Sequence, residues 1–132
     1  AVNSVRMVSR VGLSLPMVYT AVGKALMSHL DDEEIRKIWD SSAVCKKTDK
    51  TITDFGVFME EIRKVRENGY AADREENEEG VCCVAAALPD VYGEYRYAFS
   101  VSAPSSRMSE EKIAEIGRLV TETAAKISCR DE

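Results

Sequence analysis

The sequence predicts an α+β domain built on an antiparallel sheet with helices packed on it. Three observations carry this. Strand-like and helix-like stretches do not alternate; they run as one strand, three helices, three strands and a last helix, which argues against a doubly wound parallel sheet. Two of the later strands read as a hairpin, Val81 to Leu88 and Tyr95 to Ala103, turned by Pro89, Asp90 and Gly93. Apolar residues recur at helical spacing over 55–65 and 113–127.

In order along the chain, residues 1–10, AVNSVRMVSR, alternate well enough for a strand that Val11 and Gly12 break. A strand met so early must pair non-locally, so the expectation is a piece of a larger sheet whose other strands lie upstream of Ala1. A helix is expected over about 20–29, with Thr20 as N-cap. Its first turn, Ala21, Val22 and Gly23, is small enough to leave backbone N–H groups accessible, as an anion site requires. The pair Gly23 and Lys24 imitates a phosphate loop but fails as one. The upstream glycine is missing, and Ala25 stands where Ser or Thr should follow the lysine.

Asp31 caps a short helix reaching Trp39, with Glu34 completing a capping box and Ile35, Ile38 and Trp39 turned inward. After a polar connection, a helix from about Asp54 to Asn68 presents Phe55, Phe58, Ile62 and Val65 to a core, and Asn68-Gly69 ends it. Ser109 caps the last helix, whose stripe is Ile113, Ile116, Val120, Ala124 and Ile127.

The most informative stretch is Gly69 to Pro104: a short strand, an acidic turn and the hairpin. Alternation puts Val81, Cys83, Ala85 and Ala87 on one face. On the second arm it puts Ala98, Ser100 and Ser102 on one face and Phe99, Val101 and Ala103 on the other. Small residues, a thiol and two hydroxyls on one face leave room for a small molecule. The plain alternative is that the serines only satisfy backbone groups and Cys83 is a small core residue. Glu75, Glu76, Glu78 and Glu79 read as a solvated face rather than a calcium loop, whose ligand spacing differs. Asp73 either accepts a ligand hydroxyl or caps the acidic turn.

A chain of 132 residues fits one domain with a real core. A net charge of −5 and a pI near 5.0 argue against a nucleic-acid surface in this piece. No apolar run approaches the roughly 20 residues of a membrane span, and no leader pattern opens the chain. Cys82 and Cys83 are adjacent while Cys45 and Cys129 stand apart, so free thiols in a reducing cytoplasm are expected. No CxxC or Cys/His ligand spacing points to zinc, and no cofactor motif occurs.

Three blocks, LPMVYTAVGKALMSHL, GYAADREENEEGVCCVAAALPD and AFSVSAPSSRM, together resemble the C-terminal effector-binding domain of IclR-type bacterial transcriptional regulators. The likeness runs from about Met7 to Ser128. It implies a GAF-like (profilin-like) antiparallel sheet with helices on both faces, here missing its first helix and strands. It also implies a small-molecule effector, often an organic acid, and assembly as a homodimer or homotetramer. DNA binding would come from an N-terminal winged helix-turn-helix outside this chain. Carried over residue by residue, the effector-binding positions are Ala21 and Val22 at the helix start, Asp73, Cys83, Ser100 and Ser102, with Leu15 and Met17 lining the pocket. Some members have Gly where Ala21 stands, which implies either a tighter backbone approach here or a smaller effector. Asp73 with Cys83 could share a metal, as in a minority of the family, but no histidine stands near to support one.

Two further readings stay open. Cys83 could serve a small enzyme acting on a carboxylate, although a catalytic thiol needs a base or positive charge beside it, and the only histidine is His29. The domain could also be a dimerisation module with a vestigial pocket.

Overall fold

The computed structural model describes residues 17–130. The expected first strand over 1–10, and Leu15, lie outside the described residues. The described elements are α1 (Ala21–Met27), α2 (Asp32–Ser41), α3 (Phe55–Asn68), β1 (Ala71–Arg74), β2 (Val81–Pro89), β3 (Tyr95–Pro104), a 3-10 turn over 105–107 and α4 (Glu110–Arg130).

The helix boundaries follow the capping chemistry. Thr20 accepts from the Gly23 N–H, Asp31 and Glu34 form a complete capping box, and Asp54 accepts from the Val57 N–H. Gly69 ends α3 at φ 83°, a left-handed conformation that favours glycine. Ser109 Oγ accepts from the Lys112 N–H at the start of α4. α1 stops at Met27, two residues short of the expected end.

The strands form one antiparallel sheet in the order β1-β2-β3. Cys83 pairs with Asp73 on one side and Ser102 on the other, and Ala85 pairs with Ala71 and Ser100. Cross-strand partners share a face, so the register sorts the sheet into two sides. On one side Ala71, Cys83, Ala85 and Ala87 pack against Ala21, Val22 and Ala25 of α1 and Val65 of α3. On the other, Ala72, Cys82, Val84, Ala86 and Phe99 pack against Ile113, Ile116, Val120 and Ala124 of α4. Helices therefore cover both faces, as expected. A third cluster joins Tyr19 and Met27 to Ile35, Trp39, Phe58 and Ile62, and it fastens α2 and α3 to the outside of α1. Ile127 of the expected α4 stripe stays 40 % exposed and lies outside the cluster that Ile113, Ile116, Val120 and Ala124 join.

Candidate functional site

Alanines on the α1-facing side of β2 let a helix approach closely. Ala21 and Ala25 of α1 and Ala85 of β2 are all nearly inaccessible and belong to one cluster, with Val22 and Cys83 packed against it. Of the polar strand row, Cys83 therefore lies in the same cluster as Ala21 and Val22 of the helix start. Gly23 serves a different contact: a Cβ there would stand 2.0 Å from the Met17 carbonyl oxygen, because the segment entering the helix crosses its first turn. Met17 itself is half-buried, its side chain packed on the outer cluster beside Val18 and Tyr19.

The row Asp73–Cys83–Ser102 runs across all three strands. Cys83 Sγ and Ser102 Oγ are 3.1 Å apart, either able to donate. Burial pushes the Cys83 thiol up, and the hydrogen bond with Ser102 only partly offsets this, so the sulfur stays protonated at neutral pH. Ser100, one pair further along, is half-buried and its hydroxyl has no protein partner among the described residues. Within α1 the cap takes the Gly23 N–H through Thr20 Oγ1, and the Lys24 N–H bonds the Thr20 carbonyl. Ala21 and Val22 are the first-turn positions whose N–H groups these bonds do not use.

Asp73 is 3 % exposed, and its Oδ1 accepts from the Glu76 N–H at 2.8 Å. It thus caps the turn, whatever else it does. Burial is the largest cause that raises its pKa from 3.8 to about 6; the backbone hydrogen bonds from Glu76 and Asn77 and the charge of Lys24 pull the other way.

The sequence reading missed the charged group beneath this row. Lys24 is fully buried. Its Nζ donates to the Ala72 carbonyl at 2.8 Å and lies 2.6 Å from Glu76 Oε1 and 3.5 Å from Glu61 Oε2. Glu76 Oε2 in turn accepts from the Arg74 N–H. The reading of the four glutamates as a solvated face is therefore corrected for two of them. Glu76 is 6 % exposed because it neutralises Lys24, and Glu75 is drawn in by Lys50 at 2.8 Å and the Gly80 N–H at 2.9 Å. Glu78 and Glu79 are exposed. A signal existed: Lys24 falls in the same helical stripe as Ala21 and Ala25, where a lysine is expected only with a partner. No group of three or more His, Cys, Asp or Glu able to hold a metal occurs among the described residues.

A three-stranded antiparallel sheet clad by helices on both faces, with a polar row on the face that α1 covers, defines an α+β domain. The chain belongs to the family described as bacterial transcriptional regulator IclR C-terminal, which it matches over residues 1–129. It is 35 % identical over 127 residues to the HTH-type transcriptional regulator KdgR of Escherichia coli K12, covering 96 % of this chain and 48 % of that protein. The crystal structure of Thermotoga maritima IclR is similar at a TM-score of 0.87 and 34 % identity, over 97 % of this chain and 52 % of that one. An inducer-binding domain of the PobR transcription factor from Acinetobacter, a double mutant in complex with 3-hydroxybenzoic acid, is similar at a TM-score of 0.77 and 29 % identity, over 86 % of this chain and 68 % of that one. The chain spans about half the length of the curated relatives it matches.

Proposed function

We propose that this chain is the effector-sensing and oligomerisation domain of a cytoplasmic transcriptional regulator, with operator DNA bound by a domain outside it. The effector is a small organic acid. Its carboxylate meets the Ala21 and Val22 amides, and Ser100, Ser102 and Cys83 bond its remaining polar atoms. Asp73 accepts a hydroxyl or donates as the neutral acid; Met17, expected to line the pocket, instead packs on the outer cluster. The observation that supports this most is the polar row Asp73–Cys83–Ser102 with Ser100 beside it, on the sheet face against which α1 begins. The acid bound to the PobR relative supports the ligand class.

The chemistry is binding, not turnover. A thiol held protonated beside a neutral hydroxyl is a hydrogen-bond partner, and a nucleophile needs the thiolate. No helix among the described residues is long and apolar enough to cross a membrane. Effector binding would shift the population of subunit arrangements, and through it the spacing of the DNA-binding domains.

A thermal-shift screen against small organic acids tests this. An acid present at about 100 times its Kd should add about 2.7 kcal/mol, and replacing both Ser100 and Ser102 by alanine should remove that gain. Absence of a shift with every acid, or a shift unchanged in the double variant, would sink the assignment and leave a dimerisation module.

A further inference from the structure

A cavity of about 310 Å³ opens at the other end of α1 from the polar row. Ala25, Ala87 and Ala124 lie along it, too short to fill it, while His29, Arg66 and Tyr95 stand at its rim. No Asp or Glu lines it. The rings of His29 and Tyr95 are parallel to within 1°, with centroids 3.5 Å apart, and together make a flat wall. Arg66 is held in place: Nε donates to the Ser28 carbonyl at 3.2 Å, and Nη2 donates to the Leu30 carbonyl at 2.9 Å and pairs with Asp32 at 3.0 Å. Its Nη1 has no partner among the described residues.

We infer that this cleft is a second ligand site, taking a small monocarboxylate with a flat apolar body. The Nη1 left over on the fixed guanidinium receives one carboxylate oxygen in a single charge-assisted bond, beside the Asp32 that already pairs with Nη2. The alanines and the ring wall receive the body, and the volume sits at the small end of ordinary ligand pockets. Partial burial and the charge of Arg66 hold His29 below its usual value, so the imidazole is neutral at pH 7 and Arg66 is the cleft's cation. The cleft is reached at Ser28 and His29, whereas the polar row is reached at Ala21 and Val22. One short helix therefore touches both.

His29 is the only histidine in the chain, which makes its ring signals a direct reporter by NMR. Titrating the chain with benzoate should shift those signals saturably, with a Kd of about 1 mM or tighter. Benzamide, of the same shape and uncharged, should bind about tenfold more weakly or worse, the loss of one charge-assisted bond. Arg66→Gln should abolish the benzoate shift, and so should Ala124→Leu, which fills the cleft without touching charge. Ser102→Ala should leave it intact. The inference is overturned by the absence of a saturable shift, by equal response to benzamide, or by a shift that survives both cleft variants. Loss of the shift in Ser102→Ala would move the ligand to the polar row and overturn it equally.

Discussion

Replacing Lys24 by methionine tests the buried charge cluster most directly. The lysine side chain is 0 % exposed and that of Glu76 8 %, so the substitution strands a carboxylate where water hardly reaches. It also takes away the donor to the Ala72 carbonyl. Removing one member of a buried pair costs about 3–5 kcal/mol, most of it the uncompensated charge. At about 2.1 cal/mol/K per residue, 132 residues unfold with an entropy of about 0.28 kcal/mol/K. The melting temperature should therefore fall by about 11–18 °C. A second change, Glu76→Gln, removes the stranded charge while keeping an oxygen for the Arg74 N–H. The double variant should return to within about 2 kcal/mol of the parent, since a neutral pair of similar volume often matches a buried ionic one. Circular dichroism melts and urea unfolding would measure both. A loss below about 1 kcal/mol for Lys24→Met, or no recovery in the double variant, would show that the ammonium is hydrated and the cluster carries no such weight.

Asp73 gives a pH prediction. Its folded pKa is raised, so the native state binds the proton more tightly than the unfolded chain, and stability from this group falls as pH rises from about 4 to about 6. Relative to the parent, Asp73→Asn should gain on the order of 3 kcal/mol between pH 4 and pH 7 in urea unfolding; a gain in the opposite direction would refute the buried-acid account. An anionic effector beside Asp73 should also bind more tightly at pH 5 than at pH 7, read by calorimetry with a fully ionised acid. Gly23→Ala should destabilise by about 1–3 kcal/mol, because the Met17 carbonyl cannot yield as a flexible side chain would. A melting temperature at or above the parent's would instead show that the helix-propensity gain of about 1 kcal/mol wins.

The elements with local chemistry were legible in the sequence. Asp31 with Glu34, Asp54, Asn68-Gly69 and Ser109 each carry their capping partner within a few residues, so the helix ends could be read directly. The two faces of the hairpin followed from alternation about one turn, which put Cys83, Ser100 and Ser102 on a common face, although the exact pairing, with its shift at Leu88 and Pro89, did not. What was not legible depended on pairs far apart in the chain. Lys24 meets Ala72 and Glu76 across about fifty residues, and nothing local marks Glu76 as the acidic residue that goes inside while Glu78 stays out. The Gly23-Lys24 pair imitated a phosphate loop for reasons of packing: the glycine admits the crossing of Met17, and the lysine anchors β1.

β2 separates two interiors with alternate residues, Cys82, Val84 and Ala86 toward α4 and Cys83, Ala85 and Ala87 toward α1. Under the proposed function, point substitutions on the α1 side would retune which compound is recognised while the α4 side keeps its packing. Loss or gain of one residue within 81–89 has no such latitude. It would turn the thiol and its neighbours over to the wrong interior, so this strand can diversify by exchange of side chains but not by change of length.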